Sequence, residues 1–345
     1  MTMLSETVDV VIGVDTHKHT HTAAAVTAQT GVFLEERTVP TDPGGFQALV
    51  ELADAHGARR AWAIEGTGSY GSGLTRWLTE RGERVIELDR PWRAKRRGGG
   101  KSDSIDALRA AREALARTKL AEPRSRGERA ALAVLLVARR SAVQGSTDAQ
   151  RQLQNLVMTA PEALAVRFRG LSTTQMLNRA ARLRVDPRCD AETSATTVVL
   201  RSLARRAMTL RAEAKMHADA ITAVVRSLRP ELLDVVGVGP IVAAVVLCAW
   251  SHPGRCRSEA AFAKLGGVAP LEASSGLTAR HRLNRYGDRQ LNQALHTVVL
   301  VRLRCHEPSR AYALRRRAEG KSTREIRRCL KRYVARELYR LLERA

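Results

Sequence analysis

The sequence predicts an α/β domain followed by two helical regions, and three observations carry that prediction. Residues 8 to 89 alternate short β-branched runs with amphipathic ones. The middle of the chain holds one long heptad repeat. The last third is mainly helical around a loop-rich stretch.

Taken in order, Val8 to Val14 is a β-branched run that reads as a buried strand. Thr22 to Ala28 and Val32 to Val39 read as the second and third strands, joined through a turn at Thr30-Gly31. Pro43 to His56 reads as a helix, because Phe46, Leu49, Val50 and Ala53 share one face. Ala61 to Ile64 is a short strand ending at Glu65. Gly66-Thr67-Gly68 breaks it, and helix resumes from Leu74 to Arg81. Val85 to Leu88 is a further strand. Three leading strands followed by alternating helix and strand is the order of an RNase H-like sheet. A Rossmann half is the competing arrangement.

Arg90, Arg93, Lys95, Arg96 and Arg97 then run into Gly98-Gly99-Gly100-Lys101, a basic, glycine-rich loop. A helix is expected from Ser102 to Leu120, a break at Pro123 to Gly127, and a helix from Leu132 to Met158. Leu200, Leu203, Ala207, Leu210, Ala214, His217, Ile221, Val224 and Leu228 form an a/d seam that Pro230 ends. Such a seam serves either a coiled-coil arm that dimerises the protein or one helix of an intramolecular bundle. Beyond it, Leu232 to Leu247 is apolar, Ser251 to Arg289 is loop-rich, and helices run to the end. The expected domains are 1–122, an RNase H-like catalytic domain; 123–230, a helical coiled-coil or dimerisation region; and 231–345, a mainly α C-terminal domain.

The 345 residues carry 58 Lys+Arg against 35 Asp+Glu, a net charge of +23. With 44% hydrophobic residues the chain can bury cores, which excludes a disordered tail protein. The charge points to a polyanionic partner, and the dominance of arginine suits bidentate phosphate contacts. The last 45 residues hold 15 Lys/Arg against 5 Asp/Glu, an excess that favours a nucleic-acid surface over a merely solvated face. Cys189, Cys248, Cys256, Cys305 and Cys329 lie far apart with no zinc spacing, so reduced thiols in a cytoplasm are expected. Glu6 and Asp9 precede any apolar run, so no signal peptide is expected. The apolar run Val235 to Trp250 is too short for a bilayer and holds Gly237, Gly239 and Pro240, so no membrane partner is expected.

The chemistry-bearing residues begin with four acids. Asp15 closes the first strand and Glu65 the fourth. Asp103 and Asp106, three residues apart, share a face of the helix after the basic loop. Carboxylates at the ends of parallel strands meet at one sheet edge. Four of them converging in a basic protein call for bound Mg²⁺, two hard cations that take oxygen ligands and clamp a phosphodiester. Singly, each also suits a bland role: first-turn acids on a helix dipole for Asp103 and Asp106, turn residues for Asp15 and Glu65.

A second constellation is Leu265-Gly266-Gly267-Val268-Ala269-Pro270, then Ser274-Ser275-Gly276, then the cation-rich run with Arg280, Arg282, Arg285 and Arg289. A serine beside glycine on a loop can approach a phosphate, and arginines can steady the developing charge. From the local sequence alone an ordinary Ser-Gly turn is the better explanation. Val236-Gly237-Val238-Gly239-Pro240 ahead of an apolar helix is similar to a helix-hairpin-helix turn, whose backbone N–H groups hold DNA phosphate; helix packing around a tight glycine turn is the alternative. His17, His19 and His21 alternate after Asp15 and are expected on one face of a strand, with no zinc site implied.

At these residues the chain resembles a known family. Val11-Ile12-Gly13-Val14-Asp15, Glu65-Gly66-Thr67-Gly68 and Lys101-Ser102-Asp103-x-x-Asp106-Ala107 resemble the RuvC-like DEDD domain of insertion-sequence transposases of the IS110 family, which includes the pilin-gene invertases. Gly266-Gly267-x-Ala269-Pro270, Ser275-Gly276 and Gly287-Asp288-Arg289-x-Leu291-Asn292-x-Ala294-Leu295-His296 resemble its C-terminal transposase domain. The resemblance implies that Asp15, Glu65, Asp103 and Asp106 are metal ligands for Mg²⁺. It implies that Ser275 is a nucleophile forming a covalent phosphoserine link to DNA; Ser274 precedes it, and adjacency to Gly276 favours Ser275. It further implies a dimer or tetramer in which one subunit's metal site and another's serine share an active site. Donor and target DNA would be chosen through a structured, noncoding bridge RNA. Arg93, Lys95, Arg96, Arg97, Lys101, Gly237, Gly239, Arg280, Arg282, Arg285 and Arg289 are the expected nucleic-acid contacts.

Two other functions compete. One is a RuvC-like metal-dependent junction nuclease with water as nucleophile. The other is a non-catalytic architectural protein that binds nucleic acid through the heptad helix and basic tail.

Overall fold

A computed structural model of the chain describes residues 3–88, 103–272, 281–282, 284 and 287–344. The chain parts into two compact units, Met1–Ser125 and Arg126–Ala345.

The first unit is built on α1 (Leu4–Thr7), β1 (Val10–Thr16), β2 (Thr20–Thr27), β3 (Phe33–Pro40), α2 (Pro43–Asp54), β4 (Arg60–Glu65), α3 (Ser72–Glu80), β5 (Val85–Leu88) and α4 (Asp103–Ala116). The strand order is β3-β2-β1-β4-β5. β1 runs antiparallel to β2, with Val14 opposite Ala23, and β2 antiparallel to β3. β1 runs parallel to β4, with Val14 opposite Ile64, and β4 parallel to β5. The antiparallel leading hairpins exclude a Rossmann half, whose sheet is parallel. The sheet is RNase H-like.

β1 is central, and Val10 to Val14 are all buried, as expected of a strand covered on both faces. Side chains alternate between the faces. Val10, Ile12 and Val14 pack with Phe46 and Leu49 of α2 and Leu74 and Leu78 of α3. Val11 faces the other way, onto Ala110, Ala111 and Ala114 of α4. Asp42 caps α2 by accepting from Gly45 N at 2.8 Å, with Pro43 as the first helical residue. At the β5 side, Arg60 and Trp62 of β4 both bind the Glu83 carboxylate, Trp62 Nε1 donating at 2.8 Å.

The second unit comprises α5 (Glu128–Thr159), α6 (Glu162–Ala165), α7 (Thr173–Ala181), α8 (Ala191–Leu228), α9 (Pro240–Trp250), α10 (Glu259–Leu265), β6 (Leu271–Glu272), β7 (His281–Arg282), α11 (Arg289–Cys305), α12 (Glu307–Ala318) and α13 (Thr323–Leu342). The 38 residues of α8 span about 57 Å at ~1.5 Å per residue. Its heptad positions Leu200, Ala207, Ala214 and Ile221 are buried, and α8 lies antiparallel along α5. Ile221 and Val225 join a core with Leu132 and Leu136. At mid-length Ser146 Oγ donates to the Ala207 carbonyl at 3.0 Å, and farther on Leu200 and Ala204 meet Leu153 and Val157. The seam is thus filled within one chain.

α7, which was not expected from the sequence, opens with a capping box in which Ser172 and Gln175 satisfy each other's backbone N–H groups. The stretch from 251 to 289, expected to be loop-rich, contains α10, capped by Ser258. α9 is apolar on every side because α5, α8 and α11 surround it. Among the described residues no helix is long and apolar enough to cross a membrane.

Candidate active site

Asp15 is the penultimate residue of β1 and Glu65 the last of β4. The two strands are parallel neighbours, so both acids stand at the same sheet edge. Alternation puts Asp15 on the face of Val11 and Gly13, and Glu65 on the face of Ala61 and Ala63. Val11, Ala61 and Ala63 all belong to the core under α4. α4 presses directly on this face. A β-carbon added to Gly13 would collide with the Ala107 carbonyl oxygen and the Ala111 amide, and would lie 3.0 Å from the Ala111 Cβ. At the opposite edge Arg112 Nε donates to the Gly31 carbonyl at 3.2 Å, which sets the helix direction. The first turn of α4, with Asp103 as its first residue and Asp106, therefore lies toward the edge that carries Asp15 and Glu65.

Local contacts fix this edge. Thr16 Oγ1 donates to the Glu65 carbonyl at 2.9 Å, tying the ends of β1 and β4. Asp15, 16% exposed, has its Oδ2 3.0 Å from His17 Nε2. Asp106 accepts from Arg109 at 3.0 Å. Among the described residues no Lys or Arg forms an ion pair with Asp15. A half-buried carboxylate with no Lys or Arg partner among the described residues, on the same face and sheet edge as a second carboxylate, is a hard-oxygen donor set that fits a divalent cation. Among the described residues no group of three or more His, Cys, Asp or Glu stands close enough to hold a metal ion; the Asp103 side chain is outside that description.

The histidines depart from expectation. His17 and His19 are in the turn between β1 and β2, which His17 N closes onto the Thr20 carbonyl at 3.0 Å. Only His21 is on a strand, and it faces the α2 side, stacked on Phe46 at 5.8 Å. A hairpin replaces the continuous strand on which three alternating side chains would share a face. The contact of His17 with Asp15 emerges only from the fold; its one sequence signal is the place of His17 two residues after Asp15.

In the second unit, the turn before α9 carries Gly237 and Gly239. Gly237 has φ +88°, and its α-carbon faces Val298 of α11, whose carbonyl oxygen an added β-carbon would meet at 3.1 Å; Gly239 has open space. Arg302 clamps this turn, Nε donating to the Val236 carbonyl at 2.8 Å and both terminal nitrogens binding Glu337. Gly267 and Gly287 meet backbone to backbone, and a β-carbon on Gly287 would collide with Gly267. Asp288 N donates to the Leu265 carbonyl at 2.6 Å, and the Asp288 carboxylate caps α11. β6 pairs with β7, Glu272 opposite His281.

Ser274, Ser275, Arg280 and Arg285 lie outside the described residues, as do Arg93, Lys95, Arg96, Arg97 and Lys101. Arg282 is on β7 and Arg289 opens α11.

No curated protein matches the chain. Two family models do. Residues 12–160 match a model described as Transposase, the DEDD type of IS110 elements, and residues 230–314 match the Transposase IS116/IS110/IS902 family. Asp15, Glu65 and Asp106 lie inside the first match and the Gly267–Gly287 contact inside the second; the chain belongs to the IS110 family of insertion-sequence transposases, enzymes of DNA transposition.

Proposed function

We propose that this transposase cuts and rejoins DNA through a phosphoserine intermediate, with Asp15, Glu65, Asp103 and Asp106 holding two Mg²⁺ ions and Ser275 as nucleophile. The observation that carries the reading is the placement of Asp15 and Glu65 on one face of adjacent parallel strands, under the first turn of α4. Held by these carboxylates, such ions would supply positive charge to the transferring phosphoryl group and polarise its oxygens. Asp15 is oriented for that task by His17. The Ser275 hydroxyl oxygen attacks phosphorus, one bridging P–O bond breaks, and the departing DNA oxygen takes up a proton. A DNA hydroxyl later attacks the phosphoserine, gives up its proton and restores the serine. Because each step exchanges one phosphodiester for another, rejoining needs no external energy source.

The enzyme works as a homo-oligomer in which the carboxylates of one subunit and Ser275 of another act on the same phosphodiester. A bridge RNA chooses donor and target by base pairing. That leaves the protein to read backbone and shape, for which an arginine-rich chain with 4% aromatics is suited.

A strand-transfer assay with Mg²⁺ and the cognate element ends tests this reading. A covalent protein–DNA adduct is expected from the wild type and from Ser274→Ala, and none from Ser275→Ala. Recombination that persists in Ser275→Ala defeats the serine mechanism and leaves a water-using junction nuclease. Activity that survives Asp15→Asn combined with Asp106→Asn defeats both enzyme mechanisms. Recombination by protein and DNA alone, with the RNA digested away, removes the guide.

A further inference from the structure

The second unit holds a cavity of about 580 Å³ between the first halves of α11 and α13. Arg324, Arg327, Arg328 and Lys331 recur at helical spacing and present one face of α13. Arg289 and His296 do the same from α11. Among the described residues five cations thus line one space, and no carboxylate does. Among the described residues none of the five forms an ion pair.

The cavity is built rather than incidental. Lys331 is only 9% exposed, and its Nζ donates to Asn292 Oδ1 at 3.0 Å. Asn292 is oriented in turn by its Nδ2, which donates to the Gly266 carbonyl at 2.7 Å. Arg327 Nε is buried with no hydrogen-bond partner among the described residues. Burial, and then the Arg328 charge, hold Lys331 below the usual lysine range. Burial, and then Lys331 and Arg327, push His296 down. Buried like charges raise one another's energy, so a site of this kind is completed by an anion.

We propose that this cavity is a subsite for one backbone phosphodiester of a DNA strand, gripped by Arg327, Arg328 and Lys331, distinct from the phosphodiester that is cut. Arginine forks match phosphate oxygens in pairs, and the Lys331 ammonium adds a point charge below them. The location favours DNA over other polyanions. Gly267 on the cavity wall leads within four residues into β6, and Asn284, also on the wall, follows β7 by two. The strands that flank residues 273–280 are therefore rooted at this cavity, and a phosphate held there anchors the strand presented to Ser275. The choice of DNA rests on the function proposed above; the binding itself needs neither Ser275 nor a metal ion.

The test is DNA binding by the full chain without Mg²⁺, followed by fluorescence anisotropy of a labelled duplex across a salt series. Arg327→Ala with Arg328→Ala is expected to weaken binding roughly tenfold and to lower the slope of log affinity against log salt by about one. Arg184→Ala with Arg188→Ala removes the same formal charge from exposed positions outside the basic C-terminal stretch and is expected to change binding far less. Equal losses in the two doubles overturn the subsite, as does an unchanged slope in the cavity double. Loss of RNA binding with DNA binding intact overturns the assignment to DNA. Should the double fail to fold, Arg328→Gln is read instead. Inorganic phosphate is expected to raise the melting temperature of the wild type over chloride at equal ionic strength, and not that of Arg328→Gln; equal shifts overturn the subsite. A chain that binds DNA through these residues yet forms no serine adduct keeps the subsite and loses only the serine mechanism.

Discussion

Gly13 of β1 and Ala107 of α4 are in backbone contact: the Ala107 carbonyl oxygen occupies the place where a side chain on Gly13 would begin. This contact brings the first turn of α4 to the edge bearing Asp15 and Glu65. Gly13→Ala is therefore expected to push α4 off the sheet. Forcing a methyl against backbone in a packed core costs about 1–3 kcal/mol, and the displacement also moves the first turn of α4 away from the edge that carries Asp15. Strand transfer should be lost along with stability. Gly68→Ala, in the loop after β4, meets open space and should leave both near wild type. Thermal melts and strand-transfer rates of the two variants decide it; a Gly13→Ala protein as active as Gly68→Ala removes the contact from the site.

Much of this edge was legible in the residues. The strand order and the parallel pairing of β1 with β4 follow from alternating β-branched and amphipathic runs, and they bring Asp15 and Glu65 together. The expected first strand, Val8 to Val14, and the observed Val10–Thr16 differ only in where they begin and end, which leaves the alternation of faces unchanged. The contact of Gly13 with Ala107 was not legible, since a glycine required by a distant backbone looks like any other glycine. The turn at His17 to His19 was missed because it lacks Gly, Pro, Asn and Asp, the residues that announce turns. The capping box of Ser172 and Gln175 is a helix start written in the sequence, a serine followed three residues later by glutamine. The basic faces of α11 and α13 are each visible as periodic cations, but only the packing shows that they face each other.

His21 yields a prediction about acid. It is fully buried against Phe46, and among the described residues neither ring nitrogen has a hydrogen-bond partner. Burial holds its pKa below the usual histidine value. The unfolded chain therefore takes up a proton near pH ~6.5 while the folded one still refuses it, so stability falls as the pH drops below that point. His21→Phe keeps the stacked ring and removes the proton site. Urea midpoints should coincide or favour the variant near neutrality, and the variant's advantage should grow on acidification. Parallel pH profiles would show that His21 takes up its proton equally in both states.

Arg302 concentrates three hydrogen bonds on one nearly buried guanidinium, joining α11 to the turn at Val236 and to Glu337 of α13. Lysine cannot reproduce the fork and leaves at least one of these acceptors unmatched. Because Glu337 is about half exposed, the loss is discounted for screening, and Arg302→Lys should cost about 1–3 kcal/mol. The denaturant midpoint should drop with the slope unchanged. A midpoint within error of wild type would mean that the turn before α9 holds its shape without the clamp.

The pairing of His17 with Asp15 makes a graded prediction about the metal. Asp15→Asn removes a candidate ligand charge and should reduce strand transfer beyond detection at any Mg²⁺ concentration. His17→Ala removes only the group that orients Asp15 at 3.0 Å. Loss of an orienting partner typically costs roughly 10- to 100-fold in metal affinity or activity. A Mg²⁺ titration of His17→Ala should therefore need more metal to reach half-maximal rate, with much of the activity recovered at high Mg²⁺. His17 is half exposed at the hairpin tip, so its removal should leave the melting temperature almost unchanged. A variant with wild-type Mg²⁺ dependence would reduce the pair to a surface contact of the turn, and one whose activity no Mg²⁺ concentration restores would give His17 a part in the chemistry beyond orienting Asp15.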